Sequence, residues 1–199
     1  MDAFYIWGGN SGLTEERAKV SKSSQWKFSA DGKGDGSWSQ ETPTNKNLLE
    51  SFAIPQDGAY TTAKDTLFYV GGIATGWTEP GRLYVQPVPG VLSFNMSTRA
   101  WRNDSAADLS TFGTLNMGVA QYVPRFGPNG LILILGGATT SLAPSSSDPI
   151  AMQSFSEVKF FDPVTKVWYS QKTTGAIPMP RTRPCSVGVE DRESGTYEM

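Results

Sequence analysis

One short pattern occurs three times along this chain and limits the folds it can adopt more than any other feature. A run of apolar residues ends in two glycines, and a tryptophan follows at a nearly constant distance. The three runs occupy residues 4–9, 67–72 and 132–137. The glycine pairs are 63 and then 65 residues apart, and the tryptophan follows the second glycine by 29, 29 and 31 residues. This spacing predicts three copies of one structural unit, each packed against its neighbours.

A second apolar segment precedes the tryptophan in every unit. Phe94 and Phe161 each lie seven residues before a tryptophan, whereas Phe28 lies ten residues before Trp38. The additional residues fall within 31–36, a stretch rich in Gly and Asp that is typical of a lengthened hairpin turn. The unit therefore tolerates an insertion at this turn.

Short apolar segments separated by turn residues predict β-strands rather than helices. The longest apolar run, residues 131–135, has strand length and is far too short for a membrane span. The predicted strands are 3–8, 25–29, 37–40, 58–63, 66–71, 90–95, 99–103, 117–123, 131–136, 155–161, 166–170 and 185–190.

The pattern resembles the kelch repeat of β-propellers, in which a hydrophobic strand ends in Gly-Gly and is followed by an aromatic-Asp-Pro turn and a Trp. Asp162-Pro163 is expected to form such a hairpin turn between the last two strands of its unit. The residues that carry the resemblance are Gly8, Gly9, Trp38, Gly71, Gly72, Phe94, Trp101, Gly136, Gly137, Phe161, Asp162 and Trp168. The resemblance implies an all-β, kelch-type β-propeller with about three four-stranded antiparallel blades of an incomplete ring. We expect each tryptophan to be buried near the rim of its blade.

The blade boundaries follow from the same alignment. We label the four strands of a blade a to d in chain order. We expect blade 1 at about 1–41 without its inner strand a, blade 2 at about 57–104, blade 3 at about 116–171, and the start of a fourth blade at about 184–199. Three blades are fewer than the four to eight of most propellers. We therefore expect the chain to be a fragment of a longer protein.

The composition argues against a catalytic or metal-binding site within this chain. It contains no histidine, which removes the commonest general base and metal ligand. Cys185, the single cysteine, has no partner for an internal disulfide and is expected to be a small buried hydrophobe. A net charge of −2 favours neither nucleic acid nor an anionic membrane as a partner. We expect no catalytic residue, no metal site and no cofactor.

Binding of a partner is the function that remains. Kelch-type propellers generally bind with the loops that join strand b to strand c and strand d to strand a, and in this chain those loops are long. The predicted partner-binding residues on these loops are Arg17, Trp77, Arg82, Arg181 and Arg183. Trp and Arg are preferred anchors in protein interfaces. We expect a protein or glycan partner, and no membrane contact by this segment itself.

Two other functions stay open from the sequence. The first is a fragment of a galactose-oxidase-like copper radical oxidase whose ligands lie outside this chain, and the second is a substrate adaptor for protein degradation. If the chain is complete, a homodimer is the alternative to a fragment, because strand 185–190 of one copy would supply the inner strand that blade 1 lacks in another.

The sequence contains two N-glycosylation motifs, at Asn95 and Asn103. The long loops and the Ser/Thr-rich surface resemble kelch proteins of filamentous fungi that are predicted to be secreted or membrane-anchored. We expect neither a signal peptide nor a membrane span within this chain.

Overall fold

A computed structural model describes residues 3–10, 25–79, 81–142, 150–191 and 193–198. These residues form an all-β structure with one short helix, α1 (Lys46–Ser51). In chain order the strands are β1 (Ala3–Ile6), β2 (Gln25–Ala30), β3 (Gly36–Glu41), β4 (Ala59–Ala63), β5 (Thr66–Val70), β6 (Ile73–Ala74), β7 (Gln86–Pro87), β8 (Val91–Asn95), β9 (Ala100–Asp104), β10 (Val119–Val123), β11 (Leu131–Leu135), β12 (Ala138–Thr139), β13 (Ala151–Met152), β14 (Glu157–Phe161), β15 (Trp168–Lys172), β16 (Val189–Glu190) and β17 (Tyr197–Glu198).

The strands form antiparallel sheets that correspond to propeller blades. Blade 1 is the three-stranded sheet β1-β2-β3, blade 2 is β4-β5-β8-β9 and blade 3 is β10-β11-β14-β15. A two-stranded sheet, β16-β17, begins a fourth blade. The all-β fold class and the four-stranded antiparallel blades are confirmed, and eleven of the predicted strands lie within two residues of the observed ones.

Some local elements differ from the sequence predictions. Only the last two residues of the predicted strand 185–190 form a strand, β16. The small hairpins β6-β7 and β12-β13, which sit at the base of the b–c loops, and the helix α1 had no counterpart among the predicted elements. Two-residue strands and a six-residue helix leave too little periodicity in a sequence to be recognised.

Neighbouring blades pack face to face because successive side chains of a strand point to opposite sides of the sheet. In β5, Leu67 and Tyr69 face blade 1, whereas Phe68 and Val70 face blade 3. The first interface forms a cluster around Phe94 and Trp101 that includes Tyr5 and Trp7 of blade 1, and the second joins Phe68 and Val70 to Ile132 and Phe161 of blade 3. The core is thus a series of layers between blades.

The glycine pairs lie where blades approach each other. Gly71 has φ +68, and a Cβ added to it would lie 2.2 Å from the carbonyl oxygen of Leu115 in the loop that enters blade 3. The next residue, Gly72, donates its backbone N–H to the same carbonyl at 2.6 Å. Gly9 and Gly137 make the equivalent bonds to Pro55 and Arg181. Glycine is required here both for the left-handed backbone and for the close contact.

A chain of backbone hydrogen bonds joins the loops that enter successive blades. Met117 N–H donates to the carbonyl of Asp57 at 2.6 Å, and Arg183 N–H donates to the carbonyl of Met117 at 2.7 Å. All three residues have left-handed backbones, with φ of 58, 57 and 53°. Since a left-handed backbone is unfavourable for residues other than glycine, these bonds must compensate for strain at each blade junction.

The turns between strands c and d use one polar side chain in two blades. Asp162 Oδ1 accepts the backbone N–H groups of Val164 and Thr165, at 2.7 and 3.0 Å. Burial by itself would raise the pKa of Asp162, but these hydrogen bonds and one from Asn129 hold it below its usual range. In blade 2, Asn95 Oδ1 accepts the N–H of Thr98 at 2.7 Å. The Asp-Pro hairpin turn predicted from the sequence is confirmed.

Two burial expectations are wrong. Trp101 is 1% exposed, but the equivalent Trp38 is 48% exposed, because the described residues place no blade against its face of blade 1. Cys185 is exposed rather than buried. It precedes β16, whose sheet has only two strands in the described part of the chain, so the packing that would bury this thiol is not formed.

Candidate functional site

The b–c and d–a loops lie at the same end of each blade. Consecutive connections in an antiparallel meander alternate between the two ends of the strands. In blade 2 the b–c loop runs from Gly71 to Gly90 and contains the hairpin β6-β7. The d–a loop that enters blade 2 contains α1, and the one that leaves it covers residues 105–118. These three segments form the most extensively described part of the loop face.

A buried carboxylate holds the base of the b–c loop of blade 2. Glu79 is 7% exposed, and its Oε1 accepts the backbone N–H of Ile54 at 3.0 Å. Its other oxygen pairs with the guanidinium of Arg82, whose Nε lies 2.8 Å away. Arg82 also donates to the side chain of Gln86. The pair satisfies a buried charge and ties the loop to the segment that enters blade 2.

Two threonines form a second set of hydrogen bonds at the base. The hydroxyl of Thr78 donates to the carbonyl of Thr75 at 3.1 Å and accepts the N–H of Thr75 at 3.0 Å. Both residues are buried. The loop therefore leaves the blade in a defined direction.

The tip of the same loop is apolar and exposed. Leu83, Tyr84 and Val85 are 85%, 80% and 55% exposed. Single exposed apolar residues are common on protein surfaces, but three in sequence at the end of an anchored loop form a contiguous patch, which is typical of an interaction site. We call residues 83–85 the apolar tip.

Two clefts flank the segment that returns from the apolar tip to β8. The larger has a volume of about 520 Å³, and its walls include Asn103, Asp104, Phe112 and Leu142. The smaller, of about 280 Å³, lies on the α1 side and is lined in part by Leu48 and Phe52. Pro89 and Asn103 line both clefts. The segment that follows the apolar tip thus borders concave surfaces that have both apolar and polar walls.

The carboxylate in the larger cleft is already paired with cations. Asp104 lies 3.0 Å from Arg102 and 3.6 Å from Lys166. Burial lowers the pKa of Lys166, and its ammonium also lies over the rings of Phe68 and Phe161. Such an arrangement is typical of an ion pair that stabilises a blade interface rather than of a general acid or base.

The predicted partner-binding residues fall in several places. Trp77 and Arg82 share the b–c loop of blade 2, where Trp77 is 38% exposed and Arg82 serves the loop base. Arg181 and Arg183 lie in the loop that leaves blade 3, with exposed side chains and with backbone groups bonded to Gly137 and Met117. Arg17 lies outside the described residues.

Sequence reasoning missed the apolar tip. The available signal was a run of three apolar residues inside a long loop, between Gly81 and Gly90. An apolar run in a loop can equally fold back onto the protein, and only the structure shows that this one does not.

The two N-glycosylation motifs differ in their surroundings. The Asn95 amide donates to the Thr66 hydroxyl, and its Oδ1 accepts the N–H and the hydroxyl of Thr98. Asn103 is exposed and lies on the outer strand β9 at the rim of both clefts. Asn103 is the more accessible of the two acceptors.

Among the residues that the structure describes, no group of three or more His, Cys, Asp or Glu side chains is placed to hold a metal ion. In the same residues, no helix is both long and apolar enough to span a membrane.

Comparison with known proteins supports the resemblance found in the sequence. A kelch repeat-containing protein of Arthroderma benhamiae is 28% identical over 102 residues, which are 50% of this chain and 14% of that protein. Among solved structures, one described as "Structure of YjhT" is 15% identical with a TM-score of 0.48, and the match covers 87% of this chain and 48% of that one. No family model matches the chain. The chain thus spans about half the length of the solved structure and a much smaller part of the curated relative.

Proposed function

We propose that this kelch-type β-propeller segment is a non-catalytic module that binds a protein partner through the apolar tip of blade 2. The observation that carries the proposal is the exposure of Leu83, Tyr84 and Val85 at the end of a loop whose base is fixed. All three side chains present more than half of their surface to solvent, and none of the described residues covers the tip. A protein partner with an apolar groove would bury it.

The fixed base supports this role energetically. Ordering a loop upon binding costs free energy that subtracts from affinity. Here the Glu79–Arg82 pair and the Thr75–Thr78 hydrogen bonds already order the loop in the free protein. Most of the free energy from burying the apolar tip is then available for binding.

The flanking clefts add specificity. Phe112 and Leu142, both partly exposed, provide apolar walls in the larger cleft, and the exposed Asn103 offers hydrogen-bonding groups. A partner that encloses the apolar tip would place its own side chains beside these walls. A convex aliphatic and aromatic tip suits a protein groove better than a glycan, which is typically bound on flat aromatic surfaces with many polar groups.

The test is to compare the wild-type chain with a variant that combines Leu83→Ser, Tyr84→Ser and Val85→Ser. Each is immobilised and exposed to extract from the source cells, and bound proteins are quantified by mass spectrometry. Val164→Ser is the matched control, because Val164 is 55% exposed in a c–d turn. That turn lies at the opposite end of the blade from the b–c loops. We expect proteins that bind the wild type and the control and are lost from the triple variant.

An unchanged set of bound proteins would contradict the proposal. Binding of the wild type to a glycan array, retained by the triple variant, would instead indicate a glycan partner at another surface. The oxidase and degradation-adaptor alternatives remain open, but no contact among the described residues favours either of them.

A further inference from the structure

The outer edge of β9 is partly paired with the segment that precedes α1. Asn45 binds the backbone of Trp101 from outside the sheet, because its Nδ2 donates to the carbonyl at 2.7 Å and its Oδ1 accepts the N–H at 2.9 Å. The N–H of Thr44 donates to the carbonyl of Arg99 at 2.9 Å. The chain thus adds a short piece of itself to this edge, and the added piece ends where α1 begins.

The same edge continues without a partner at Asn103. Along an antiparallel strand, backbone groups point alternately towards the neighbouring strand and away from it. Since the N–H and C=O of Trp101 point away from β8, those of Asn103, two residues further on, point away as well. The described residues offer these two groups no hydrogen bond. Asn103 is exposed, and its side-chain amide has no hydrogen-bond partner among the same residues.

The two clefts that flank the segment returning to β8 lie on opposite faces of blade 2, beside this free edge. Asn103 is the cross-strand neighbour of Leu92, which packs towards blade 1, and both line the smaller cleft on the α1 side. Asp104 is the neighbour of Val91, which packs towards blade 3, and Asp104 lines the larger cleft. A Cβ added to Gly90 would lie 2.3 Å from Asn103 Oδ1, so the amide lies against the segment that the clefts flank.

We propose that the free edge of β9 at Asn103 binds an extended peptide segment of a partner protein as an added strand. The N–H and C=O of Asn103 form two hydrogen bonds with the peptide backbone. The peptide residue opposite Asn103 directs its side chain into the smaller cleft, and the residues before and after it direct theirs into the larger one, because side chains of a strand alternate between its faces. Leu83, Tyr84 and Val85 line neither cleft, so this site goes beyond the function proposed for the apolar tip.

The walls of the clefts define the apolar part of the peptide. Leu48 and Phe52 line the smaller cleft, whose volume of about 280 Å³ suits one branched or aromatic side chain. The larger cleft has a volume of about 520 Å³, with Phe112 and Leu142 as partly exposed apolar walls, and has room for two side chains. The peptide that fits therefore carries three successive residues that are mainly apolar.

The charges beside the larger cleft define the flanking residues. The side chain of Asp104 is 11% exposed and pairs with two cations, Arg102 and Lys166, so this group of ions has a net charge of +1. Arg102 precedes Asn103 on β9, and its side chain remains 64% exposed. A carboxylate next to the apolar residues of the peptide would meet this guanidinium. The expected ligand is thus a short apolar segment flanked by Asp or Glu.

The first experiment selects random nine-residue peptides from a display library on the immobilised chain, which is produced in bacteria so that Asn103 carries no glycan. The enriched peptides are synthesised with a fluorescent label, and their affinity is measured by fluorescence anisotropy. We expect three successive apolar residues with an acidic residue beside them. A library from which no sequence is enriched would overturn the proposal.

Asn103→Pro tests the strand edge itself. Proline removes the outward N–H and is tolerated at an edge position whose N–H faces solvent, so the ladder with β8 is kept. Loss of this hydrogen bond should weaken peptide binding by roughly tenfold. Ser170→Pro is the matched control, because Ser170 holds the equivalent position on β15 of blade 3. Circular dichroism checks that both variants retain their β-structure. Equal affinity of the two variants for the peptide would overturn the proposal.

Further variants separate this site from the apolar tip. Leu48→Ser changes the smaller cleft and Leu142→Ser the larger one, and each should weaken peptide binding several-fold. The triple variant of the apolar tip should bind the selected peptides as tightly as the wild type does. If the triple variant loses the peptides and Asn103→Pro keeps them, the peptides bind the tip. That result would support the proposed function and overturn the strand-edge site.

Two measurements do not depend on the folding of a variant. When the peptide N–H groups are methylated one at a time, binding should be lost at one residue and retained at the residues on either side of it, because only one peptide N–H donates to Asn103. In the complex, exchange of the Asn103 amide hydrogen with solvent should slow, whereas that of Arg102 and Asp104, which already pair with β8, should change little. Unchanged exchange at Asn103, or methylation that is tolerated at every residue, would overturn the proposal.

Discussion

Alanine substitution of the first glycine in each pair separates two reasons for glycine at that position. Gly8, Gly71 and Gly136 all have left-handed backbones, with φ of +76, +68 and +59°. Their surroundings differ, because an added Cβ would lie 3.3 Å from the nearest oxygen at Gly8, 2.8 Å at Gly136 and 2.2 Å at Gly71. The strain of a left-handed alanine is thus common to the three variants, and the contact with the next blade is not.

The expected loss of stability follows from these distances. A left-handed alanine costs about 1 kcal/mol relative to glycine, and we expect little more than this for Gly8→Ala. At Gly71 the Cβ would meet a backbone carbonyl that also accepts the N–H of Gly72, so the two blades must move apart. Overpacking adds about 1–3 kcal/mol and loss of the hydrogen bond about 1 kcal/mol, which gives about 3–5 kcal/mol for Gly71→Ala. Gly136→Ala should fall between the two.

The assay is urea unfolding followed by tryptophan fluorescence at one fixed protein concentration. Gly81→Ala is the control for backbone strain alone, because Gly81 has φ +88 and an added Cβ would meet nothing within 4 Å. We expect the loss of stability to rise in the order Gly81, Gly8, Gly136, Gly71. Equal losses at Gly8 and Gly71 would refute the close-approach argument and leave the glycine pair as a purely conformational requirement.

Three further predictions concern single side chains. Trp101→Ala should lower the free energy of unfolding in urea by about 3–5 kcal/mol, because Trp101 is 1% exposed. Trp38 is 48% exposed, so Trp38→Ala should cost less than half of that. Similar losses would show that the two environments are alike. Burial raises the pKa of Tyr69 to about 12, so its contribution to the free energy of unfolding is complete below pH 10 and is lost as pH rises towards 12. The free energy of unfolding should fall by about 2–3 kcal/mol across that window, and by less in Tyr69→Phe. When the chain is expressed through a eukaryotic secretory pathway, Asn103 should carry a glycan and Asn95 should not, as read by mass spectrometry of deglycosylated peptides, and occupancy at Asn95 alone would contradict the assignment.

Local conformational rules explain why the strands and turns could be predicted from the sequence. The Gly-Gly pairs require left-handed backbones that other residues avoid, and Asp162 accepts hydrogen bonds from residues only two and three positions further along. Short, nearly continuous apolar runs bounded by turn residues mark strands such as β5 and β11 wherever they lie in the fold. None of these features depends on a distant part of the chain.

The candidate site was predictable only in outline. The resemblance to kelch repeats directed attention to the b–c loop of blade 2, which contains Trp77 and Arg82. The role of Arg82 depends on its pairing with Glu79, and the role of Glu79 depends on the N–H of Ile54, which is 25 residues away. A charged side chain that orders a loop and one that meets a partner look the same in a sequence.

The amino-acid sequence by itself determined the repeat, the strand positions and the turns, since each rests on backbone preferences that act within a few residues. Tertiary structure alone decided which equivalent residues are buried. Trp38 and Trp101 share one motif position and the same neighbours in register, yet one is half exposed and the other is buried. The difference arises because burial is a property of two surfaces in contact, and a strand specifies only one of them.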